Sequence, residues 1–68
     1  MRKNMYMFIG NKEIIPNKGI ASGCIGIAFP TLSKILNKRV ACSKMTAYCI
    51  TKYIDENAEI NDFFERVN

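Results

Sequence analysis

Three cysteines, six carboxylates and ten cationic side chains are the residues of this chain able to do chemistry, and there is no histidine. A cysteine nucleophile needs a neighbouring base to hold its thiolate, and no imidazole exists to serve Cys24, Cys42 or Cys49. Their odd number and their spacing match no zinc pattern, and beyond methionine there is no fourth soft ligand. They read as small buried hydrophobes in a reducing compartment. Acid-base work is equally poorly provided for. Glu13 stands alone among the first 54 residues, and Asp55, Glu56, Glu59, Asp62 and Glu65 crowd residues 55–68. The expectation is a protein that is no enzyme, holds no metal or cofactor and takes no small-molecule substrate.

What remains is cationic. Residues 1–54 carry nine Lys or Arg against Glu13, a balance of plus eight, whereas residues 55–68 set Arg66 against five acids, a balance of minus four. A basic body with an acidic tail should attract a polyanion. Short polar and cationic side chains concentrate between Ala28 and Arg39, the make-up required of a helix that enters the major groove of DNA with its first turn nearest the base edges. Ala28, Pro30 and the methyl group of Thr31 suit thymine methyls, and Ser33, Lys34 and Asn37 suit base acceptors or adenine. Lys38 and Arg39 at the end of that run, Lys44 beyond the next turn, and Lys18 suit phosphates, which position a protein without reading sequence. Lys12 extends the same footprint.

Sixty-eight residues, about half of them apolar, make one domain near the lower limit for independent folding. The elements that must hold the cationic run can be read from apolar spacing. Pro30 and Thr31 open a helix, since proline is accepted in a first turn, and Leu32, Ile35 and Leu36 form its inward stripe. Asn37 to Arg39 fray into a turn, after which Val40 tucks back against the core. Ser43 is an N-cap for the next helix, whose inward stripe is Ala47, Ile50 and Ile54, and Asn57 is a candidate for a left-handed cap. An acidic helix over residues 59–68 is expected to close the domain, with Ile60, Phe63, Phe64 and Val67 turned toward the body. Because two adjacent phenylalanines on a helix cannot share a direction, Phe63, Phe64 and Val67 are also a candidate dimer interface. Lys18 to Ile25 makes a short, weak helix containing Gly19 and Gly23, and Gly26 suits the tight turn after it. Before that, residues 1–17 form a variable segment. Tyr6 to Ile9 and Glu13 to Ile15 are compatible with a small hairpin about Gly10 and Asn11, or with one helix interrupted at Gly10, and the helical surroundings favour the helix.

The run Ile25, Gly26, Ile27, Ala28, Phe29, Pro30, Thr31, Leu32, Ser33, Lys34, Ile35, Leu36, Asn37, Lys38, Arg39 resembles the turn and recognition helix of Cro/repressor-like, or XRE-type, helix-turn-helix proteins. Gly26 and Ile27 match the pair that closes the family's turn, and Leu32 and Ile35 match the pair that pins its recognition helix. Ser43, Thr46, Ala47, Ile50 and Ile54 look like the fourth helix of such domains. Ala58, Ile60, Asp62 and Phe63 look like the segment that opens the fifth. The resemblance spans about residues 22–64 and departs from the family at Ser22, where an alanine is usual, and in the short approach before it. It implies an all-α fold, a small helix-turn-helix domain of four to five short helices, with a β-hairpin as the alternative to the first helix. It also implies a repressor-type regulator of bacterial or phage kind that reads double-stranded DNA as a homodimer. An inhibitor or antitoxin-like protein-interaction module on the same fold is the competing reading, motivated by the acidic tail and the paired phenylalanines.

The segment from Arg2 and Lys3 through Ile9 superficially resembles a signal peptide, but its apolar run is short and meets no small-residue cleavage site before Lys12 and Glu13. The least polar stretch, Ile20 to Phe29, is too short to span a bilayer. A cytoplasmic protein with no membrane association is the expectation.

Overall fold

A computed structural model of the protein describes residues 5–67; the Arg2 and Lys3 positions lie outside them. The elements run β1 (Met5–Phe8), a 3-10 turn (Lys12–Ile14), α1 (Lys18–Ile25), α2 (Phe29–Leu36), β2 (Cys42–Ser43), α3 (Lys44–Ile54), α4 (Ile60–Phe63) and β3 (Phe64–Arg66). The fold is therefore α/β, and the all-α expectation is corrected: helices pack against a three-stranded antiparallel sheet of order β2-β1-β3.

The strand that begins the described chain is the centre of that sheet. Met5 and Tyr6 pair with Ser43 and Cys42, and Tyr6, Met7 and Phe8 pair with Arg66, Glu65 and Phe64. The hairpin and interrupted-helix expectations both fail here, because the partners of β1 come from far along the chain and residues 12–14 form a 3-10 turn instead. Alternation explains the preference for a strand. Tyr6 and Phe8 point to one face and are buried, while Met5 and Met7 point to the other and are partly exposed. The acidic helix expected over 59–68 is likewise corrected. It ends at Phe63, and the chain straightens so that Phe64 can enter the core opposite Phe8. The two rings meet edge to face with centroids 5.4 Å apart, a favoured aromatic geometry.

Above the sheet, Ala21 from α1, Leu32, Ile35 and Leu36 from α2, and Ala47 and Ile50 from α3 complete one buried cluster, joined by Ile15. Side-chain caps fix where the helices start. The Asn17 carbonyl oxygen accepts from the Ile20 amide at 3.0 Å, and the Ser43 hydroxyl accepts from the Thr46 amide at 3.3 Å; each satisfies an amide that helix geometry leaves without a partner. Val40 stays 38% exposed instead of tucking inward. The left-handed position expected at Asn57 falls elsewhere: among non-glycine described residues, Lys38 alone has a positive φ, at 63°. Among the described residues no single helix is long and apolar enough to cross a membrane.

Thr51 is fully buried on α3, and its hydroxyl oxygen has no hydrogen-bond partner. A buried unpaired hydroxyl carries a desolvation penalty that an isosteric apolar group avoids. Thr51→Val is expected to raise stability by about 1 kcal/mol, read as a higher urea midpoint with unchanged denaturant slope. A lower midpoint would show that the hydroxyl is satisfied in solution.

Candidate nucleic-acid interface

The cationic run is held by a bent helix pair. α1 stops where Gly26 takes a left-handed conformation, φ 92°, and its amide returns to the Ser22 carbonyl at 2.8 Å. An L side chain is strained there, so glycine is the residue that fits. The Ile27 amide bonds to the same carbonyl at 3.1 Å. After this three-residue break the chain turns through 108° into α2, which starts at Phe29, with Pro30 accommodated in its first turn. Leu32, Ile35 and Leu36 are at most 1% exposed and fix the rotation of α2 about its axis. The rotation turns Pro30, Thr31, Lys34 and Asn37 outward, with Ala28 exposed just ahead of them and Ser33 half-buried at the margin. All six residues expected to read bases therefore lie on α2 or directly flank it.

Two of the six are less free than their exposure suggests. The Asn37 amide group donates to the Ser33 carbonyl at 2.8 Å and to its hydroxyl at 3.3 Å. It thereby closes the last turn of α2. Phe29 is 51% exposed. It adds an apolar ring to the first turn, beside Ala28 and Pro30.

The cations expected to hold phosphates divide into two pairs. Arg39 and Lys44 are exposed, on either side of β2. Lys18 and Lys38 have structural duties. The Lys18 ammonium donates to the Ile15 carbonyl at 3.1 Å. The Lys38 ammonium donates to the Gly10 carbonyl at 2.7 Å and stands 5.4 Å from the centroid of the Phe8 ring. That contact ties the loop after β1 to the end of α2, and it offsets the strain of a left-handed lysine. Sequence reasoning had no signal for this role, since Gly10 and Lys38 are distant in the chain and neither residue type announces the other.

The three residues expected to form a dimer surface do not form one patch. Phe64 is 1% exposed inside the core, Phe63 is partly buried against it, and Val67 is 47% exposed beyond β3. Phe64 is thus unavailable to a partner, because pairing of β3 with β1 sets it opposite Phe8 inside the core.

The cysteines are free thiols in three environments: Cys24 exposed, Cys49 intermediate, Cys42 buried. Burial pushes the Cys42 thiol up to about 11 from an ordinary 9.0. A raised folded-state value favours the neutral thiol. Its contribution to stability is complete below pH 9 and is lost as the pH rises through 11, a loss of about 3 kcal/mol at most. Urea midpoints measured between pH 8 and 11 should fall, and should fall less in Cys42→Ala. With a thiol reagent at pH 8, Cys24 should react first and Cys42 last. Among the described residues no group of three or more Cys, Asp or Glu is placed to hold a metal ion.

Comparison with protein-family models, with curated proteins and with solved structures finds no match. The likeness to Cro/repressor-like proteins stands on residues of this sequence alone, chiefly the run from Ile25 to Arg39.

Proposed function

We propose that this protein binds double-stranded DNA in a sequence-specific manner, with α2 in the major groove, and acts by occupancy as a repressor-type regulator. The observation that carries the reading is the α1–α2 pair. Two helices meeting at 108° across a three-residue, glycine-containing turn have the dimensions of a helix-turn-helix, and the outward face of the second helix is free of acids. Two features support it further. The first turn of α2 offers Ala28, Pro30 and Thr31, small groups that can approach base edges closely. Lys34 is exposed on the outer face of α2 for base acceptors, and Arg39 and Lys44 are exposed for phosphate contacts, whereas Lys18 and Lys38 are assigned to holding the fold.

A labelled-duplex binding assay against random and genomic fragments, at two salt concentrations, tests the proposal. The expected result is binding that weakens steeply with salt and retains a preference among sequences. Absence of binding at low salt overturns it, and binding with no sequence preference reduces it to nonspecific association.

A further inference from the structure

Helix α3 is apolar on two sides. Its inward stripe of Ala47 and Ile50 is fully buried. A second stripe, Met45, Tyr48, Cys49, Lys52 and Tyr53, follows the same helical spacing on the other side. Met45 is 71%, Tyr48 50% and Tyr53 41% exposed. Lys52 does little to make this face polar. Its ammonium is turned back onto the Ala58 carbonyl at 2.7 Å and lies 5.5 Å from the Tyr48 ring centroid, so its methylene stem covers the surface. Tyr48 and Lys52 stand as a ridge between two open grooves. One, of about 330 Å³, runs along α1 past Cys24 and Ile25. The other, of about 380 Å³, runs toward Tyr6, Glu59 and Ile60. A helix with apolar residues on both sides ordinarily has a partner on both.

We propose that this face of α3 is covered by α3 of a second copy of the chain, packed antiparallel about a two-fold axis passing near Cys49. Three observations select that occupant. A ridge flanked by grooves is self-complementary under a two-fold, since each ridge can enter the partner's groove. Charge is complementary in the antiparallel sense only. Lys44 begins the helix, while Asp55 and Glu56 follow its end, all exposed, so reversal sets each lysine beside the opposite copy's acids. The area suits a weak self-association: Tyr48 and Tyr53 each offer about 100 Å², and with Met45, Cys24 and the 61% exposed Ile20 the patch comes to roughly 500 Å² per partner, in the range of transient interfaces. The centre at Cys49 matches Met45 with the partner's Tyr53, and sets Tyr48 close to the partner's Lys52. The association is measured without DNA, and it competes with the DNA-binding reading only for Lys44.

Sedimentation equilibrium of the protein should show a monomer–dimer equilibrium with a dissociation constant in the micromolar range. Tyr48→Glu, at an exposed position, should weaken it at least about tenfold with an unchanged circular dichroism spectrum. Lys44→Glu should weaken it too, and adding Glu56→Lys should restore it. In Cys24→Ser protein, copper-phenanthroline oxidation should give a covalent dimer whose proteolytic fragments join Cys49 to Cys49. A monomer up to about 1 mM, or a dimer insensitive to Tyr48→Glu, overturns the proposal. So does a dimer that is lost with Val67→Glu and retained with Tyr48→Glu.

Discussion

Phe64→Ala is expected to lower stability by about 3–5 kcal/mol, enough to leave much of the population unfolded at 25 °C. The ring is 1% exposed and stacks edge to face on Phe8, and the strand carrying it forms one of the two edges of the sheet. A domain of this size commonly has a total stability of only about 3–5 kcal/mol, so the substitution removes most of the margin. Far-ultraviolet circular dichroism and urea unfolding check it directly. Val67→Ala, at a site 47% exposed, should change stability by no more than about 0.5 kcal/mol. If Phe64→Ala instead leaves the urea midpoint unchanged, the ring does not occupy the core.

The second large effect concerns binding. Reversing two exposed cations together, Lys34→Glu in the base-reading set with Arg39→Glu in the phosphate set, should weaken duplex binding by at least about 100-fold at low salt and reduce the salt slope by about one. Lys38→Ala is the informative contrast. Its ammonium is engaged by the Gly10 carbonyl and faces the Phe8 ring, so the substitution should lower the melting temperature while leaving the salt slope near that of the unaltered protein. If Lys38→Ala lowers the slope as much as Arg39→Ala does, the division of cations into binding and structural groups is wrong.

The helices were legible because their signals are local. Asn17 and Ser43 cap from adjacent positions, Gly26 is the residue a left-handed turn favours, and Leu32, Ile35 and Leu36 repeat at helical spacing within a single element. For the same reason, the residues expected on the outer face of α2 are found there. The sheet was illegible because its strands span four, two and three residues, too short for a period to declare itself. Cys42–Ser43 contains no β-branched or aromatic residue, and Phe64–Arg66 continues an apolar spacing that begins in α4 and reads as helix. Only pairing with Met5–Phe8 makes either segment a strand, and pairing is a property of distant chain positions. The burial of Phe64 and the tether of Lys38 fell into that gap, since both depend on where β1 lies.

The central position of β1 ties the two ends of the described chain together. Residues 5–8 emerge first from the ribosome among the described elements, yet their hydrogen-bonding partners on one side are residues 64–66. Helices α1 to α3 can form and pack while β1 still presents an unpaired edge, and such an edge is open to pairing with other chains. Pairing β1 with β3 closes the longest loop in the domain, and contacts that close long loops slow folding. Any state in which that loop is open leaves the middle strand of the sheet adhesive, so incomplete closure is where aggregation of this domain is expected to start.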